Sequence, residues 1–140
     1  MKKKKNRIYQ VPFAELIDKL TIDQIKSVLL TKGKKSIQSE INILLHDIDI
    51  ILKKRKINLN SKLIINLITL SQINIHIWEL KDKMKLNKKD YNKYLKLAHQ
   101  LNGIRNKIKN YLLLLAKENK LSNKRSNDEL DGLKGWDKNL

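Results

Sequence analysis

The chain has 140 residues, 31 basic and 14 acidic, which leaves a net charge of +17, and it contains no cysteine, one proline and four glycines. Without cysteine there is no disulfide framework, no thiolate metal site and no cysteine nucleophile. No run of about 18 apolar residues marks a membrane span, and the length suits one domain.

Lysine, isoleucine and asparagine dominate, with 27, 19 and 15 copies. Their codons are rich in A and T, so genomic base composition is one source of the bias. Lys outnumbers Arg by 27 to 4, whereas proteins that read phosphates or base edges favour the planar, two-pronged guanidinium of Arg. A charge of +17 still attracts polyanions at low salt. Nucleic acid, phosphorylated glycolipid and acidic protein therefore all stand as candidate partners.

In chain order, Lys2, Lys3, Lys4, Lys5 and Arg7 lie in a basic arm over residues 1–10, read as flexible and as the candidate polyanion-binding segment. A signal peptide would continue into an apolar core. Here Ile8-Tyr9-Gln10-Val11-Pro12 leads into a charged helical pattern instead, so the expected location is cytoplasmic. Pro12 suits a helix start, followed by Phe13, Leu16, Ile17 and Leu20 at helical spacing. Thr21-x-x-Gln24 has the form of a capping box and predicts a second short helix, with Ile22, Ile25, Val28 and Leu29 on its apolar face.

Gly33 marks a turn, after which Ser36 is the expected cap of a helix reaching about Lys54. Its apolar stripe is Ile37, Ile41, Leu44, Leu45, Ile48, Ile51 and Leu52, with Glu40, Asp47, Lys53 and Arg55 opposite. Asn60 or Ser61 caps the next helix, Ile64 to Lys85. The alternation Ile73-Asn74-Ile75-His76-Ile77 would also suit a strand, but the length without a turn signal favours a central helix buried on most sides. Asn87 to Asp90 opens a long helix from Lys88 to about Asn119, with Tyr94, Leu97, Leu101, Ile104, Ile108, Tyr111, Leu112 and Leu115 as its stripe and Gly103 as an interruption. Residues 120–140 are rich in Asn, Ser, Asp and Gly and read as a flexible tail with Trp136 as its anchor.

No catalytic motif stands out, and neither a metal site nor a cofactor is expected. The pairs His46/Asp49 and His76/Glu79 share helix faces but lack the further carboxylates of a di-metal bundle. The scattered glycines form neither a P-loop nor a dinucleotide fingerprint. A polar set is more informative: Asn74, Trp78 and Asp82 at i, i+4 and i+8, with Glu79 beside them, and Asn102 and Arg105 on the long helix. Two readings are open. The set forms a closed hydrogen-bonded network, with Asn74 meeting Asn102 and an acid meeting Arg105, or it lines a small polar cleft for an anionic or sugar-like ligand.

Three blocks carry a resemblance. Val11 to Lys26, with ELIDKLTI-x-x-IK at its centre, Asn74 to Met84, with N-x-x-IWEL-x-D, and Tyr94 to Lys109 resemble a small bacterial helical family, a domain of unknown function. Members of that family are often encoded beside glycosyltransferases of lipopolysaccharide and other surface-glycan clusters. The pattern has acids where Lys81 and Gly103 stand, and an Arg that Lys85 replaces or displaces. The resemblance implies a helical fold and surface-glycan company. The combined expectation is an all-α, single antiparallel bundle of four to five helices over residues 11–119. Its expected role is a non-catalytic accessory or scaffolding module, whose partner is a glycosyltransferase or a phosphorylated glycan precursor. The alternative is a basic nucleic-acid-binding protein. Homo-oligomerisation is compatible with so apolar a central helix.

Overall fold

A computed structural model describes residues 6–118; the lysines at positions 2–5 and the expected tail at 120–140 lie outside them. The fold is all-α, a helical bundle as the periodicity predicts. Four α-helices and one short 3-10 turn occur among the described residues: α1 Phe13–Leu29, α2 Lys34–Lys54, α3 Ser61–Leu86, the turn Lys88–Asp90, and α4 Tyr91–Leu115. They group into two compact units. The first takes residues 6–58 with 111–118, and the second takes residues 59–110, so α4 contributes to both.

In the first unit α1 packs against α2. The core is Phe13, Leu16 and Ile17 of α1, Ile41, Leu44, Ile48 and Ile51 of α2, and Leu112, Leu113 and Ala116 of the α4 end. The second short helix predicted from Thr21 does not form. α1 runs through it, and the Thr21 hydroxyl donates back to the Asp18 carbonyl at 2.7 Å, a bond open to threonine inside a helix. Val28 and Leu29, expected on an apolar face, are exposed. Ser36 is not the cap of α2. The helix starts three residues earlier, at Lys34, with Gly33 at the cap position in the left-handed region (φ 77°). Leu45 of the predicted stripe is exposed, whereas Asp47, placed on the polar side by pattern, is completely buried.

α2 and α4 end alike. Lys56 (φ 52°) and Lys117 (φ 57°) both occupy the left-handed region. In each case the next N–H reaches back five residues, Ile57 to the Leu52 carbonyl at 3.0 Å and Glu118 to the Leu113 carbonyl at 2.9 Å. These are Schellman caps, with lysine where glycine is the usual residue.

In the second unit α3 is capped as expected, the Asn60 side chain accepting from the Leu63 N–H at 2.8 Å. Leu63, Leu70, Ile73, Ile77 and Leu80 of α3 are buried, as are Ala98, Leu101, Ile104 and Ile108 of α4. α3 is not buried on most sides. Ile64, Ile68 and Ile75 fall on a single exposed face, opposite the packed one. α3 has the length and apolar composition of a bilayer span. Its packed face nevertheless includes Asn66, Thr69 and Asn74, and it serves as the core helix of this unit.

Candidate functional site

The polar set on α3 and α4 is dispersed. Asn74 is buried, Trp78 is half-buried, and Glu79 and Asp82 are exposed. The i, i+4, i+8 spacing explains this: each step of four turns about 40° past a full circle, so Asp82 has rotated about 80° away from Asn74. On α4, Asn102 and Arg105 are half-buried and meet each other, Arg105 Nη1 donating to Asn102 Oδ1 at 3.3 Å. The His76 ring lies 3.9 Å from Glu79 Oε2 within α3.

Sequence reasoning passed over the most buried amides. Asn66 is 0% exposed, its amide donating to the Lys62 carbonyl at 2.8 Å while Oδ1 has no hydrogen-bond partner. Gln100 on α4 is equally enclosed, and its Nε2 lacks a partner. The available signal was register: Asn66 falls three residues after Leu63 and four before Leu70, on the core stripe itself.

The first unit holds the stronger polar architecture. Asp47 is 0% exposed and accepts from the backbone N–H groups of Ile8 at 2.9 Å and Tyr9 at 2.6 Å, with His46 Nδ1 at 2.9 Å from Oδ1. Burial alone would push this carboxyl upward, but the two backbone donors and the imidazole outweigh it and hold the pKa below the usual range. Residues 8 and 9, expected within a flexible arm, are thereby fastened to α2. His46 pairs with Asp47, its neighbour, and not with Asp49 as the sequence spacing implied. Arg7, the one described member of the predicted polyanion-binding arm, turns back on the chain and its Nη2 donates to the Val11 carbonyl.

A second cluster links α1 to α2. Lys19 Nζ sits 2.8 Å from Glu40 Oε1 and 5.3 Å from the centroid of the Tyr9 ring. Asp23, almost fully buried, lies beside Glu40, and its Oδ2 has no hydrogen-bond partner. Burial, then the charge of Glu40, raise the pKa of Asp23; the Lys19 hydrogen bond lowers that of Glu40 and raises that of Lys19 itself. Beside this cluster, Tyr9, Val11, Glu15, Asp18, Lys19 and Ile22 line a hollow of about 350 Å³.

At the start of α1, Pro12 offers no side-chain cap, and the free Phe13 N–H donates to Glu118 Oε1 at 2.7 Å. That bond places a carboxylate from beyond α4 at the positive end of α1. No group of three or more His, Asp or Glu residues suited to a metal ion occurs among the described residues. Comparison of the chain with protein-family models, with curated proteins and with solved structures finds no match in any of the three.

Proposed function

We propose that this protein is a non-catalytic accessory module that assembles with a surface-glycan glycosyltransferase or a phosphorylated glycan precursor. The observation that carries the reading is where the polar side chains are used. Asp47, Glu118, Glu40 and Lys19 fasten one segment of the chain to another, and Arg105 is engaged by Asn102 on its own helix. Acid–base catalysis needs a proton donor and acceptor facing a shared open space. Asn74 is buried in α3 while Glu79 and Asp82 stand on its exposed side. A rigid helical scaffold with a basic coat suits binding of phosphorylated partners. The resemblance of the three blocks supplies the surface-glycan context.

The test is calorimetric titration of the full chain with a lipid-linked sugar phosphate, together with co-purification with a glycosyltransferase from a surface-glycan cluster. A stoichiometric complex with either is expected; a complex with neither rejects the reading. The +17 charge favours one second reading, nucleic-acid binding. It predicts binding to a mixed RNA/DNA probe that survives from about 50 to about 200 mM salt with a steep log–log slope, near −0.9 per phosphate engaged. Binding that vanishes at the upper salt assigns the lysines to a solvated coat.

A further inference from the structure

The turn between α3 and α4 sets a dense group of exposed lysines around the most exposed large apolar residue described. Lys81, Lys83, Lys85, Lys88, Lys89 and Lys93 are all exposed, and against Asp82 and Asp90 these six lysines leave a charge of +4 over thirteen residues. Asp90 is further occupied by the Asn87 side-chain amide at 3.1 Å. Within this basic ring, Leu86 is 87% exposed, the highest value of any large apolar residue described, and Tyr91 is 45% exposed. Leu86 is the last residue of α3 and Tyr91 the first of α4, so the two flank the 3-10 turn.

A leucine this exposed inside a ring of lysines gains free energy when an apolar layer receives it. We infer that this turn, residues 81–93, docks on an anionic lipid surface. Leu86 enters the boundary between headgroups and acyl chains, and Tyr91 sits at headgroup level with its ring in the apolar layer and its hydroxyl in the wet one. The lysine stems lie along the surface while their ammonium groups reach phosphate. Charge complementarity selects an anionic surface over a second copy of this +17 chain. The exposed leucine selects lipid over nucleic acid, which has no apolar layer to accept it. The inference goes beyond the scaffold reading and does not depend on it, because a plain phospholipid vesicle carries neither glycan nor protein.

The test is flotation of the full chain with vesicles of phosphatidylcholine alone and of phosphatidylcholine mixed with phosphatidylglycerol, at physiological salt. Binding to the mixed vesicles and none to the neutral ones is expected. Each surface lysine engaged with anionic lipid is worth about five-fold in partitioning. The triple variant Lys83→Gln/Lys85→Gln/Lys89→Gln should therefore lose about a hundred-fold. Lys32→Gln/Lys34→Gln/Lys35→Gln, which removes the same charge before and at the start of α2, should lose far less. The double variant Leu86→Ser/Tyr91→Ser should lose about ten-fold with an unchanged circular-dichroism spectrum. Equal losses from the two lysine triples would overturn the inference and leave a diffuse coat. So would parent-like binding by the double variant, or no binding by the parent. A single-stranded RNA probe that responds to the turn variants while vesicles do not would reassign the turn to nucleic acid.

Discussion

The two units bury polar groups in opposite ways. In the first, ionised side chains tie together residues far apart in sequence: Asp47 holds Ile8 and Tyr9, Glu118 holds Phe13, and Lys19 holds Glu40. In the second, Asn66 and Thr69 are neutral and answer locally, to the Lys62 and Ile65 carbonyls, each within one turn of α3, while Lys109 of α4 is buried as well. A long-range charged bond fixes where a segment lies, and losing it frees that segment. A neutral amide bonded to its own helix fixes nothing at a distance. The Asp47, Glu118 and Lys19 contacts of the first unit should therefore respond to charge changes and acid more sharply than the Asn66 and Thr69 bonds of the second.

The largest effect expected from that contrast is at Asp47. Asp47→Ala removes a buried charged acceptor from two backbone donors and should destabilise the protein by about 3 kcal/mol, read in urea unfolding. It should also open residues 7–12 to protease. A loss below about 1 kcal/mol would mean that the fastening is ornamental. The matched change in the second unit is Asn66→Leu, which removes an unpartnered buried oxygen and should be neutral or stabilising by about 1 kcal/mol. Clear destabilisation there would show that Asn66 belongs to a larger network and would erase the contrast.

Acid separates the two carboxyl environments within the first unit. Asp47 has a depressed pKa when folded, so its stabilisation is complete above the ordinary aspartate range and is lost as pH falls through the folded value. Asp23 has a raised pKa, so its contribution is complete at acid pH and is lost as pH rises through the folded value. Asp23→Asn removes a buried carboxyl beside the Glu40 charge and so takes away the two largest causes of the raised pKa. It should raise the urea midpoint at neutral pH and flatten the pH dependence above the aspartate range, whereas Asp47→Asn should remove the acid-side loss. An unchanged profile in Asp23→Asn would contradict the burial of this carboxyl beside the Glu40 charge.

The smallest effects concern the two lysine caps. Lys56→Gly and Lys117→Gly relieve a left-handed backbone that glycine adopts freely, each adding about 0.5–1 kcal/mol. The Lys117 change should also steady Glu118 and with it the α1 start, so it should protect residues near Phe13 from hydrogen exchange. Gly33→Ala tests the same physics in reverse. No atom lies within 4 Å of an added Cβ, so the loss of about 1 kcal/mol would be purely backbone strain.

Much of the secondary structure was legible in the pattern. The core stripe Ile41, Leu44, Ile48 and Ile51, the Asn60 cap, and Leu101, Ile104, Ile108 and Leu112 all emerge from 3.6-residue spacing alone. The candidate site was legible in composition but not in placement. Asn74 and Asp82 have related spacing, yet helical drift carries one into the core and the other into solvent. Asp47 occupies a core register three residues after Leu44, but an aspartate at such a position reads as surface until a distant donor is known.

The sequence by itself determined the all-α class, most of the helices, the greater part of their apolar faces and the charge of the chain, because periodicity and composition are local properties. Tertiary structure decided which polar residues are buried. It brought the Ile8 and Tyr9 amides to Asp47, 39 and 38 residues away, and Glu118 to Phe13 across 105 residues. A buried charge is stable only beside its partner, and no local pattern specifies a partner that the rest of the chain must deliver.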